Sequence, residues 1–215
     1  NLVATDQMID TPTNNWCTMN PLAKPISSIT FSEGNLKVFG DANWNLTNST
    51  VPMVTGKWYW ELLAGGASIQ FGILADYSIM DTADWKGMMY YPNYKVIDGT
   101  WTTPFGTSFG AGDIIGCAVD MDSSPKTITW YKNNTLVDSL DFTGGVTSAY
   151  SVVPGGAFHT AANTGIFNFG QDSSFAGGKT AQGNQDANDI GDFYYEPPAD
   201  HLALCTDNLS APEIA

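Results

Sequence analysis

Residues 112–120 read Gly-Asp-Ile-Ile-Gly-Cys-Ala-Val-Asp. This run is short, almost continuously apolar and rich in β-branched side chains, and it opens on turn residues and closes on a carboxylate. Those features mark a β-strand rather than a helix, which needs about ten or more residues. The neighbouring runs repeat the message with a period of two. In Lys57-Trp-Tyr-Trp-Glu-Leu-Leu63, Trp58, Trp60 and Leu62 share one face, and Tyr59, Glu61 and Leu63 share the other. Ile69, Phe71 and Ile73 alternate in the next run. Ile128 and Trp130 face inward in Thr127–Tyr131. Working outward, Ile29–Phe31 and Leu36–Phe39 flank Glu33-Gly34-Asn35, a hairpin signal. Asn133-Asn134 sets a tight turn, because Asn tolerates positive φ. The returning strand carries Leu136, Leu140 and Phe142, and Val152-Val153 and Gly165–Gly170 supply two more. Proline breaks most helical windows. Many short strands separated by turn residues predict an all-β sandwich or barrel.

Composition agrees. The chain has 215 residues, 43% hydrophobic and 14% charged, which suits one domain with a real core and excludes a disordered chain. No apolar stretch is long enough for a membrane-spanning helix. Lys and Arg total 8 against 22 Asp and Glu, giving a net charge of -14, and every basic residue is Lys. Phosphate and base recognition lean on Lys and Arg, so nucleic acid and anionic membrane are poor partners. Three cysteines cannot complete a disulfide framework. Cys117 reads as a core residue, and a Cys17–Cys205 bridge tying the ends together stays open. The chain has no initiator Met or signal-peptide pattern and stops abruptly at Ile214-Ala215, so a processed chain or a piece of a longer protein is expected.

Catalytic patterns are sparse. His159 and His201 stand in no nucleophile arrangement, and no G-x-S-x-G elbow exists. Gly177-Gly178-Lys179-Thr180 ends like a P-loop but lacks the first glycine, since residue 173 is Ser. Gly110-Ala111-Gly112 precedes a strand, the reverse of a dinucleotide fingerprint. The four glutamates, Glu33, Glu61, Glu196 and Glu213, lie far apart, which leaves a sugar-acting hydrolase as the weakest reading. Asp186, Asp189 and Asp192, spaced by three, would suit Ca²⁺, although the spacing is not that of an EF-hand and solvated loop charge explains it as well. Residues 76–107 form a long aromatic stretch that reads as an irregular loop. Trp85, Tyr90, Tyr91, Tyr94 and Trp101 are its candidates for stacking on a sugar or anchoring a protein, the alternative being a satellite core.

Several motifs resemble the SPRY family. Gly56-Lys57-Trp58-Tyr59-Trp60-Glu61 is similar to its early core strand, and Phe71-Gly72-Ile73 to the strand that follows. Residues 112–120 resemble its GD-x-IG-x-x-x-D strand, Ile128–Asn134 its hairpin, and Phe167-Asn168-Phe169-Gly170-Gln171 its closing strand. The motifs span about residues 30–175 in the expected order. The resemblance implies a bent, two-sheet antiparallel β-sandwich of concanavalin-like jelly-roll type. It also implies protein or peptide recognition through loops at one end, without enzymatic activity, and brings no metal or other cofactor. The flanks, Thr13–Pro21 and Tyr194–Leu209, resemble those of SPRY-containing bacteriophage proteins. That likeness implies a virion location, as a capsid decoration, fibre or tail component. Other virion proteins, a host surface protein or glycan for receptor binding, and further copies of the chain are the expected partners. A cement role between virion subunits is the alternative. The expected layout is an N-terminal extension over 1–28 packing on the sandwich, a sandwich over 29–175, a flexible polar loop over 176–192 and a C-terminal segment over 193–215.

Overall fold

The computed structural model describes residues 14–23, 29–75, 85–160 and 163–209. Fourteen strands form there: β1 (Thr30–Ser32), β2 (Lys37–Phe39), β3 (Asn45–Asn48), β4 (Lys57–Ala64), β5 (Ile69–Ala75), β6 (Gly87–Tyr91), β7 (Tyr94–Ile97), β8 (Thr100–Thr102), β9 (Ile114–Asp120), β10 (Thr127–Lys132), β11 (Thr135–Asp141), β12 (Val152–Phe158), β13 (Thr164–Asn168) and β14 (Leu202–Ala203). Two short 3-10 turns, Gly144–Ser148 and Thr206–Asn208, are the helical elements among the described residues.

The strands make two antiparallel sheets. One runs β1-β2-β13-β4-β9-β10-β11, and the other β3-β12-β5-β6-β7-β8. β14 pairs with β4 in parallel, Leu202 and Ala203 beside Trp58 and Tyr59. β13 occupies the other half of the same edge of β4, from Glu61 to Ala64. The turns follow the sequence signals. Glu33, Gly34 and Asn35 all have positive φ between β1 and β2, and Asn133 and Asn134 do the same between β10 and β11.

The main core lies between the sheets. Trp58, Trp60, Leu62, Cys117, Ile128, Trp130 and Phe167 come from the larger sheet. Ile69, Phe71, Ile73, Met88, Tyr90 and Phe158 come from the smaller. Trp60 meets Phe71 at 6.1 Å between ring centroids, and Phe71 meets Phe167 at 5.8 Å. The Trp130 indole crosses the interface and donates a 2.9 Å hydrogen bond to the Phe71 carbonyl.

Each sheet also carries a smaller cluster on its outer face. On the larger sheet, Tyr59, Ala118, Phe193, Ala203 and Cys205 pack together with Trp16 beside them. The first and last described segments meet here. Trp16 pairs with Cys205 in an antiparallel bridge, Cys17 N–H donates to the Leu204 carbonyl at 2.9 Å, and Thr206 N–H donates to the Asn15 carbonyl. All three cysteines are free and buried. Cys17 belongs to the main core and Cys205 to this outer cluster, so neighbouring backbones do not bring their sulfurs to one side.

The stretch read as an irregular aromatic loop is largely regular. Residues 87–102 form the β6-β7-β8 meander, turning at Asn93 (φ 66°) and at Asp98-Gly99 (φ 48° and 78°). Asp98 fixes the second turn by accepting from Gly87 N–H and Gly145 N–H. Tyr77, Glu213 and most of the N-terminal extension lie outside the described residues. The polar segment 176–192 is held by hydrogen bonds to the residues that flank it. Asn184 and Phe193 exchange two backbone bonds, and Ser173 donates to Asp192.

Candidate functional site

The alternation of β6, β7 and β8 sorts the aromatic candidates onto two faces. Tyr90 points into the main core, fully buried, with Phe109 at 5.1 Å, Phe105 at 5.9 Å and Trp130 at 6.4 Å. Its hydroxyl donates to the Thr107 carbonyl. Trp85 is buried on the outer face of the smaller sheet with Leu74, Met89 and Val96. These two rings are therefore packing residues, and a ligand would not reach them.

The other three come together. Tyr91 is opposite Tyr94, and Trp101 opposite Val96, so all three side chains rise from the outer face of the β6-β7-β8 edge. Trp101 lies 4.9 Å from Tyr91 and 5.7 Å from Tyr94, edge to face in both cases. Trp44, just before β3, closes the group at 5.7 Å from both Tyr91 and Trp101. His159, at the end of β12, stacks on Trp44 at 5.1 Å with 27° between planes. Such edge-to-face contacts contribute about 1 kcal/mol each beyond burial and hold the rings in fixed orientations. Trp101 is 42% exposed, the most open aromatic of the group. The result is a rigid ledge of four rings and an imidazole at a sheet edge.

A polar group accompanies the ledge. Gln70 precedes the inward-facing Phe71 on β5 and so turns to the outer face. It is 4% exposed, and its Oε1 has no hydrogen-bond partner among the described residues. Trp44, His159 and Gln70 were not legible as site residues. Each lies far from the others in sequence, and only sheet pairing gathers them. The available signal was a lone Trp after a polar turn.

The acidic candidates are not brought together. Asp186 accepts from Asn188 N–H and Ile190 N–H on one oxygen, and from Ala203 N–H and the Asn208 amide on the other. Its lone pairs are spent on pinning the C-terminal segment to the sheet. Asp189 sits in the turn at φ 58°, and Asp192 accepts from Ser173. Among the described residues no group of three His, Cys, Asp or Glu side chains could hold a metal ion.

Glu61 is the most perturbed carboxyl. It is fully buried on the outer side of β4, and burial pushes it up to about 7, against the pull of its hydrogen bonds. One oxygen accepts from Tyr195 N–H at 2.8 Å and Tyr59 Oη at 3.2 Å. The other accepts from Tyr194 N–H at 2.9 Å and Asn168 Nδ2 at 3.1 Å. A shifted carboxyl can mark a reaction centre. This one has every acceptor position filled by the protein, and it serves as a clasp for residues 194–195.

No protein-family model matches the sequence, and no curated protein is significantly similar to it. Solved structures match by shape. The SPRY domain of human HERC1 aligns with a TM-score of 0.55 at 16% identity, covering 69% of this chain and 96% of its own. A human SPRY domain gives 0.54 at 16%, covering 66% of this chain and 94% of its own. The TRIM65 PSpry domain gives 0.54 at 13%, covering 70% and 89%. At such low identity the likeness is one of architecture: the chain has the two-sheet fold of SPRY domains.

Proposed function

We propose that the chain is a non-catalytic recognition module of a bacteriophage virion protein, and that it binds a protein or glycan through the aromatic ledge. The observation that carries the reading is Trp101, left 42% open to solvent in a cluster clamped on strands rather than on a mobile loop. Pre-ordered rings bind without a large ordering cost, and their faces suit either a sugar ring or an apolar side chain. The SPRY-like fold supports recognition over catalysis. The virion setting rests on the resemblance of residues 13–21 and 194–209 to flanks in phage proteins. The contact surface differs from the loop-end site that the resemblance implied, because these rings rise from β6, β7, β8 and the approach to β3.

Two measurements test this. Trp101→Ala is expected to weaken binding in a glycan or host-surface protein array by at least about tenfold, since hot-spot aromatics cost about 2 kcal/mol or more on truncation, while unfolding stays cooperative at a melting temperature lowered by the loss of its three ring contacts. Binding that persists in both Trp101→Ala and Trp44→Ala would remove the ledge from the proposal. The virion setting predicts that peptides of this chain are found in purified phage particles. A copy number in the tens to hundreds would favour decoration, and a few copies a tail or fibre position. Absence from the particles would overturn the virion setting and leave the ledge to be judged by the first measurement.

A further inference from the structure

The opposite sheet carries a second, chemically different feature. A cleft of ≈ 260 Å³ opens on the outer face of the larger sheet, lined by Lys37, Leu63, Ala64, Gly65, Gly112, Thr164, Ile166, Gly178 and Lys179. Its floor is a cross-strand row. Ile166 on β13 pairs with Lys37 on one side and Leu63 on the other, and the inward neighbours Val38, Leu62 and Phe167 fix this row as outward. Thr164 lies two residues along the same face of β13.

Both lysines are half-buried, and neither has a carboxylate partner among the described residues. Lys57 and Lys132, by contrast, are paired with Asp120 and Asp113, at 3.6 and 3.3 Å. Lys179 Nζ donates to the Gly112 carbonyl at 2.9 Å, which anchors it at the rim and leaves two N–H donors. Lys37 Nζ lies 5.1 Å from the Phe39 ring centroid. Asp113, next to Gly112, is turned to Lys132 and the Asn133 amide, so it does not neutralise the cleft. In a chain of net charge -14, two lysines that line one small cleft without a carboxylate partner give it a local positive charge that an anion would offset.

Gly112 and Gly178 are among the lining residues. Gly112 has φ +88° and nothing within 4 Å of where its Cβ would stand. A Cβ on Gly178 would come within 3.1 Å of Leu63 Cδ2 on the floor. We infer that this cleft binds a small dicarboxylate with a short aliphatic body: the carboxylates engage Lys37 and Lys179, the Thr164 hydroxyl adds a hydrogen bond, and the methylenes lie on Leu63 and Ile166. The assignment is independent of the aromatic ledge.

The test is titration calorimetry of the full chain at constant ionic strength with glutarate, its neutral diamide, and inorganic phosphate. Saturable glutarate binding is expected, weakening as salt is raised, with no binding of the diamide. Lys37→Gln and Lys179→Gln should each weaken it about tenfold, the loss of one charge-assisted contact. Lys126→Gln, which changes the net charge equally outside the cleft, should not. Glutarate that fails to bind, or binds equally well to the Lys37→Gln/Lys179→Gln double variant, overturns the site. Phosphate binding as tightly as glutarate overturns the role of the apolar floor and so the ligand class. Parent-like melting temperatures in the variants keep folding out of the reading.

Discussion

Glu61→Ala is expected to lower the free energy of unfolding by about 4 kcal/mol, because it strands four donors that a single carboxyl now satisfies, each costing about 1 kcal/mol or more. Those donors are the Tyr59 hydroxyl, the Asn168 amide and the backbone N–H groups of Tyr194 and Tyr195. Glu61→Gln should cost about half as much, since one oxygen survives while the new amide nitrogen faces donors. The pH dependence has a definite sign. The folded carboxyl titrates at about 7 against an ordinary 4.5, so the folded protein keeps a proton that the unfolded chain has released. Its contribution is fully present below pH 4.5 and is lost as pH rises through 7, about 3 kcal/mol in all. His201 works the other way, because burial lowers its folded value from 6.5 and its contribution fades on acidification. Burial raises the thiols above 9, which matters only in more alkaline solution. Urea denaturation at pH 6.5 and 8 should therefore show the parent losing about 1 kcal/mol relative to Glu61→Gln, the His201 contribution being common to both. A parent whose pH response matches that of Glu61→Gln would show that Glu61 is ionised throughout.

The second large effect belongs to Trp130. Trp130→Ala should cost about 4 kcal/mol or more, the range for removing a large aromatic side chain from a core that closes only partly. The ring is fully buried, meets Phe105 at 5.8 Å and Tyr90 at 6.4 Å, and supplies the indole bond to Phe71 of the facing sheet. Trp130→Phe keeps an aromatic ring but loses that bond and some volume, and about 1–2 kcal/mol is expected. Both values come from equilibrium denaturation. A Phe variant as damaged as the Ala variant would assign the effect to the hydrogen bond rather than to volume.

The sandwich was legible wherever one face of a strand is buried. In β4, Trp58, Trp60 and Leu62 enter the main core while Tyr59 joins the outer cluster, as period-two alternation requires. β10 behaves in the same way. The reading failed where strands are short or buried on both faces. β6 is Gly-Met-Met-Tyr-Tyr, in which Met88 and Tyr90 serve one cluster and Met89 the other, so no polar alternation marks it. β3 is Asn-Leu-Thr-Asn, poor in strand formers and recruited by pairing with β12. The site was half legible. Aromatic density pointed to the right region, but whether a ring faces the core or solvent depends on register. Register sent Tyr90 inward and left Trp101 open. The spacing of Asp186, Asp189 and Asp192 carried no information about which backbone N–H groups would claim them.

The pairing of Trp16 with Cys205 sets how the module responds to tension. Entry and exit strands lie side by side, joined by the bonds of Asn15 with Thr206 and of Cys17 with Leu204. A pull applied through both flanks would load these bonds one after another, like opening a zipper, instead of all at once in shear. The seam would yield at low force.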